Sequence, residues 1–211
     1  MLVIKVGTVC RAGCYQLRQL RQITQSLTPT VAQMLVQAFI GCRLDYCNSL
    51  LYGIADSDSQ LRRLQSDQNA AAGLITGTRR TEHITPVLQS LHWLPVRQRI
   101  LFKLAVLVYK CLNGRAPAYL ADDCCWIRHR QAGLRSSSDL TKLDVPPTRT
   151  TFGDRSFAVN GPRVWNSLPA SIRNLTLSLT LFSSRLKSRL FCFILLYYFL
   201  LIIFVYASFS I

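Results

Sequence analysis

Carboxylates are what this chain lacks most. None stands before Asp45 and none after Asp154, so both ends carry positive charge alone. Ten Asp and Glu side chains face 25 Lys and Arg, giving a formal charge of +15 and a pI near 10. That balance favours a polyanionic partner, either nucleic acid or an anionic membrane face. Histidine is scarce as well, with three in the chain. A Cys–His nucleophile needs a third group to orient the base and donors for an oxyanion, and no part of the sequence builds either. His92, between Leu91 and Trp93, reads as a packed histidine.

A secretory signal is also missing. Met1 to Val9 is apolar but short, Arg11 follows closely, and the segment reads as the uncapped stub of a longer sequence. Without a secretory route the eight cysteines read as reduced, buried thiols rather than a disulfide framework. The Asn174-Leu175-Thr176 triplet is then a glycosylation site that is not used. Zinc would want four ligands in close pairs. Cys10 and Cys14, Cys42 and Cys47, and Cys124, Cys125 and His129 cluster loosely, but none has the two-residue spacing of a knuckle. Cys42 and Cys47 lie five apart on an expected helix, hence on different faces. No metal or other cofactor is expected. The string Leu120-Ala121-Asp122-Asp123 also fails as a metal site. Two-metal phosphoryl transfer needs a further carboxylate on an adjacent strand. Here Ala116-Pro117-Ala118-Tyr119 precedes the pair and Cys124-Cys125-Trp126 follows, which is the context of a helix end. No catalytic residue is expected.

The apolar pattern is helical. From Cys14 to Gln25, Leu17, Leu20 and Ile23 repeat at helical spacing, with Arg18 and Arg21 turned away. Thr28-Pro29 reads as an N-cap followed by proline at the first helical position. Val31, Met34, Leu35, Ala38 and Phe39 predict the core stripe of a helix running to about Tyr52, ended by Gly53. Asp58 can cap the next helix, which turns Leu61, Leu64, Gln68, Ala71, Ala72 and Ile75 inward and stops at Gly77. A short helix over Thr85 to Ser90 and a long one over Val96 to Leu112 follow, the latter closed by Asn113-Gly114. Another short helix fits Pro117 to about Cys125. From Ile127 to Val159 the pattern is loop-rich with room for one hairpin, and short helical turns are expected around Trp165 and Ile172. The last helix begins near Ser178 and is wholly apolar after Arg189. The expected fold is mainly α: a small helical bundle over 1–126, a loop-rich extension over 127–177, and a C-terminal helix over 178–211 that becomes long and apolar.

Three stretches then point to a family. Leu44-Asp45-Tyr46-Cys47-Asn48-Ser49-Leu50-Leu51-Tyr52-Gly53 comes first. His83-Ile84-Thr85-Pro86-Val87-Leu88-Gln89-Ser90-Leu91-His92-Trp93-Leu94-Pro95-Val96 comes second, and Pro162-Arg163-Val164-Trp165-Asn166-Ser167-Leu168-Pro169 third. Shorter pieces fall in order among them: Gln68-Asn69-Ala70-Ala71-Ala72, Tyr109-Lys110-Cys111-Leu112, Ala116-Pro117-Ala118-Tyr119-Leu120 and Gly153-Asp154-Arg155-Ser156-Phe157. Together they resemble the region after the catalytic core of LINE-type (non-LTR) retrotransposon reverse transcriptases, from about Cys10 to Phe191. Gly73 and Pro147 stand where that family has arginines, which suggests relaxed constraint. The resemblance implies a thumb-like remnant without palm, fingers or endonuclease, gripping a nucleic-acid backbone without reading its sequence and performing no catalysis.

The residues expected to make that grip are Arg62, Arg63, Arg79, Arg80, Arg97, Arg99 and Lys103, around the Gly77 to Val96 connector. Trp93 and Tyr109 lie near them in sequence and read chiefly as core, with base stacking as the rival use. The expected partner is an RNA or DNA backbone, not a small-molecule substrate. The rival reading is a tail-anchored membrane protein without chemistry. Leu190 to Ile211 holds no charge, is long enough to span a bilayer, and follows Arg185, Lys187 and Arg189. Insertion would place the chain in a membrane with its bulk on the cytosolic side; otherwise nuclear or cytoplasmic residence is expected. Each charge placed centrally in that run should oppose insertion by about 2.5–3.5 kcal/mol. Leu200→Arg combined with Ile203→Lys should therefore move the chain from the carbonate-resistant membrane fraction to the supernatant. Extraction of the unaltered chain by carbonate would show that the run does not span.

Overall fold

The structure, a computed structural model, describes residues 2–24, 26–46, 48–54, 59–79, 81–127, 141–150 and 153–192. It is mainly helical, and among the described residues strand pairing is limited to one isolated bridge between Trp126 and Leu143. The chain divides into two units, Met1–Ile100 and Leu101–Ile211, with the division inside a helix.

In the first unit, α1 runs over Leu2–Thr24, so the helix begins well before the Cys14 expected from the leucine spacing. Its buried side carries Val6, Cys10 and Leu20 at steps of four and ten, positions that share one helical face. Thr28 precedes α2 (Pro29–Val36) in extended conformation, as its sequence requires, but its side chain makes no cap hydrogen bond; its carbonyl accepts from the Ala32 amide at 3.0 Å. The expected continuous helix to Tyr52 is broken up. A wide π-turn over Gln37–Gly41 leads to α3 (Cys42–Asp45), and a 3-10 turn over Asn48–Leu51 precedes Gly53, whose φ is +75°.

The expected core stripe is also corrected. Val31, Met34, Ala38 and Phe39 are exposed, and the core takes Ala32, Val36, Ile40 and Leu44 instead. Both faces are apolar, so periodicity could not choose between them. The buried one carries the small residues Ala32 and Gly41.

Helix α4 (Ser59–Thr76) packs on α1, α2 and the next helix. Leu61, Leu64, Gln68, Ala71 and Ala72 are buried as the pattern demands, and Gly77 ends the helix at φ +72° with its N–H on the Gly73 carbonyl. Asp58, its expected cap, lies outside the described residues. Gln68 is buried to 1% exposure and donates to the Leu94 carbonyl at 2.9 Å. Gln65 accepts from the Val96 amide at 2.9 Å and donates to the Gln68 and Asn69 side chains. Two glutamines of α4 thus hold the connector and satisfy the first free N–H of α6 (Val96–Leu112).

Between them lies α5 (Thr85–Ser90), which ends in a Schellman turn. The His92 amide bonds the Gln89 carbonyl and the Trp93 amide bonds the Leu88 carbonyl. His92 occupies the left-handed position at φ 55°. The packed histidine expected from sequence is therefore exposed: the turn sends His92 outward and Trp93 into the core.

In the second unit α6 ends at Gly114, φ +64°, and the short α7 (Ala118–Ala121) follows, with Asp122 at its C-terminal end. Part of the loop-rich segment, 128–140, lies outside the described residues. Helix α8 (Phe157–Ser167) replaces the short turns expected around Trp165. Gly161 lets it close on α6, since a Cβ there would meet a Val108 methyl at 3.1 Å. Trp165 is fully buried and donates to the Thr141 carbonyl at 3.0 Å. Asn166 brackets Leu143 with two 2.8 Å bonds. A last helix, α9, occupies 179–192; its Phe182 stacks on Tyr109 with ring centroids 4.2 Å apart. The apolar run beyond 192 lies outside the described residues, and among those described no helix is long and apolar enough to cross a membrane.

The left-handed His92 makes a direct test possible. A side chain there strains the backbone by about 1 kcal/mol, and glycine removes that strain. His92→Gly should raise unfolding stability by ~1 kcal/mol in urea titration followed by circular dichroism. Destabilisation by the same amount would refute the turn.

Candidate nucleic-acid interface

The expected basic residues have different surroundings in the structure. Arg99 is committed within the fold: its Nη2 donates to Asp45 Oδ2 at 2.9 Å and its Nε to Oδ1, tying α6 to α3 through a fork. Arg62, Arg79 and Arg97 are exposed on α4, on the loop after it, and on α6. Arg80 lies outside the described residues. Lys103, in the second unit, is exposed. Trp93 and Tyr109 are buried, at 7% and 2% exposure, which removes them as stacking surfaces.

Arg63 belongs to a different grouping. It lines a groove of about 370 Å³ between α1 and α4, with Cys10, Arg11, Cys14, Tyr15, Arg18, Ser66 and Asp67. Residues 11, 15 and 18 stand one above another because steps of four and seven return to the same helical face. Arg11, Tyr15, Arg18 and Arg63 are all exposed. Three arginines from two helices therefore line one groove, Arg11 with its Nε donating to the Gly7 carbonyl at 3.3 Å. Sequence reasoning placed Arg18 on the solvent side of α1 but did not nominate it; the Arg-Tyr-Arg spacing was the available signal. It gains meaning only once Arg63 faces it from α4.

The groove floor is a carboxylate held by thiols. Asp67 is 8% exposed and accepts from the Cys14 thiol at 3.5 Å and from the Cys10 thiol. Burial raises its pKa above the usual carboxylate value, opposed by those two bonds and by the nearby Arg63 charge. Burial, together with the adjacent carboxylate, pushes the Cys10 thiol up to about 12 and also raises Cys14. Both therefore remain thiols at neutral pH and are poor nucleophiles. Among the described residues no group of three His, Cys, Asp or Glu could hold a metal ion. What the arrangement offers is cationic hydrogen-bond donors around an opening, with one exposed ring between them.

No family model, curated protein or solved structure matches this chain.

The raised pKa of Asp67 sets a direction for stability. The folded chain holds this proton more tightly than the unfolded chain, so the contribution is fully present below the ordinary carboxylate pKa. It is lost as pH rises through the folded value. Asp67→Asn cannot ionise. It should gain on the unaltered chain in thermal stability as pH is raised from roughly 4 to 7. A difference that stays constant across that range would contradict the burial of an ionising group.

Proposed function

We propose that the chain binds the phosphate backbone of nucleic acid without reading sequence, through the α1–α4 groove, and performs no catalysis. The observation that carries this reading is the convergence of Arg11, Arg18 and Arg63 on one opening. The charge of +15 supports it, because long-range attraction raises the encounter rate with polyanions. The resemblance to the post-catalytic part of LINE-type reverse transcriptases supports it too. A second reading, attachment to a membrane through 190–211, is favoured by the uncharged run that follows Arg189.

Three phosphate contacts predict a defined salt response. The slope of log affinity against log salt should be about −2.7 on duplex DNA, a fall of roughly 40-fold between about 50 and 200 mM salt. Arg11→Ala with Arg63→Ala should flatten that slope by about 1.8 and weaken all sequences alike. Fluorescence polarisation of the full chain with labelled duplexes of unrelated sequence measures both. A slope unchanged by the double substitution would remove the groove from the reading.

A further inference from the structure

We propose that the α1–α4 groove takes single-stranded nucleic acid, one base stacking on Tyr15 while Arg11 and Arg18 hold the flanking phosphates. This rests on the backbone reading above and narrows it to a class of strand. Tyr15 is 64% exposed; Tyr46 and Tyr119 are exposed to a similar degree, at 65% and 70%, but neither lines the groove. Tyr15 stands between Arg11 and Arg18 on one helical face, and all three line the groove. Arg11 and Arg18 are separated by seven residues, or about 10.5 Å along the axis, with Tyr15 between them.

A duplex cannot use this ring well. Its bases are stacked on one another, so a tyrosine on a helix flank meets only sugar and phosphate. A single strand presents free π-faces, and stacking on an aromatic side chain tolerates any base. The groove chemistry sorts the two parts of a nucleotide. Asp67 on the floor repels phosphate, while Arg11, Arg18 and Arg63 attract it. The anionic backbone therefore stays with the guanidinium groups and the uncharged base is free to meet the ring. Arg63, across from Tyr15 on α4, confines the strand from the second side.

The test uses the full chain, without detergent, with four probes at one low salt concentration. These are a labelled 12-nucleotide thymidine strand, an abasic strand of equal length and charge, a 12-base-pair duplex, and phosphatidylserine vesicles. The thymidine strand should bind about tenfold more tightly than the abasic strand, within the range of one stacked base. Tyr15→Ala should erase that difference while leaving abasic-strand and duplex binding unchanged, and Tyr15→Phe should retain it. Equal binding of thymidine and abasic strands, with salt-dependent duplex binding intact, would overturn the stacking inference and leave the backbone reading standing. Loss of binding to every strand in Tyr15→Ala would make Tyr15 structural and overturn it as well. No binding of the unaltered chain to any strand would overturn both readings. Tyr15-dependent binding to the vesicles, with none to the thymidine strand, would assign the face to a membrane surface instead.

Discussion

The first unit depends on two glutamine side chains. Gln68, buried in α4, would be costly there without a partner, because an unpaired buried amide loses its water without compensation. The Leu94 carbonyl supplies that partner, and Gln65 takes the Val96 amide one turn away. These bonds connect elements some thirty residues apart and fix where α6 begins. They also fix the connector, because α5 must end in a Schellman turn for Leu94 to reach Gln68. Trp93 then enters the core and His92 is left in the left-handed position. Two blocks that look separate in the sequence, Gln68-Asn69-Ala70-Ala71-Ala72 and the stretch from His83 to Val96, are thus neighbours joined by hydrogen bonds.

The same packing divides the arginines by role. Arg99 meets Asp45 within the first unit, and its forked bonds fasten α6 to α3. Arg63 sits on the same helix as Asp67, one turn before it, and faces the residues of α1. Asp67 is the shared feature of the groove. Its desolvation disfavours the charge, the Cys10 and Cys14 thiols and the Arg63 field restore part of it, and the thiols in turn lose acidity. A carboxylate beneath an arginine rim is unfavourable for a phosphate seated deep in the groove and acceptable for one held at its edge.

The second unit is organised by aromatic contacts instead. Tyr109 donates to the Leu177 carbonyl and stacks on Phe182, which lies 6.1 Å, centroid to centroid, from Trp165. Asn166 supplies the bonds that strand partners would give Leu143. An irregular stretch is thereby held by side chains of α8, consistent with the need to satisfy buried backbone groups by whatever partner is near.

The sequence by itself determined the helices whose ends carry chemical punctuation. Thr85 to Ser90, Val96 to Leu112 and the stop at Gly77 are local matters of glycine, proline and one apolar face. It also determined the charge imbalance, and with it the class of partner worth testing. Tertiary structure decided three things that local pattern could not. It chose Ala32, Val36, Ile40 and Leu44 over the bulkier stripe beside them, since two apolar faces give the same periodicity and only the fit to α1 and α4 separates them. It separated the arginines, since whether a guanidinium meets a carboxylate or solvent depends on a residue far away in sequence: Asp45 lies 54 positions from Arg99. And it assembled the groove, because Arg11, Tyr15 and Arg18 are a face of one helix until α4 places Arg63 and Asp67 against it.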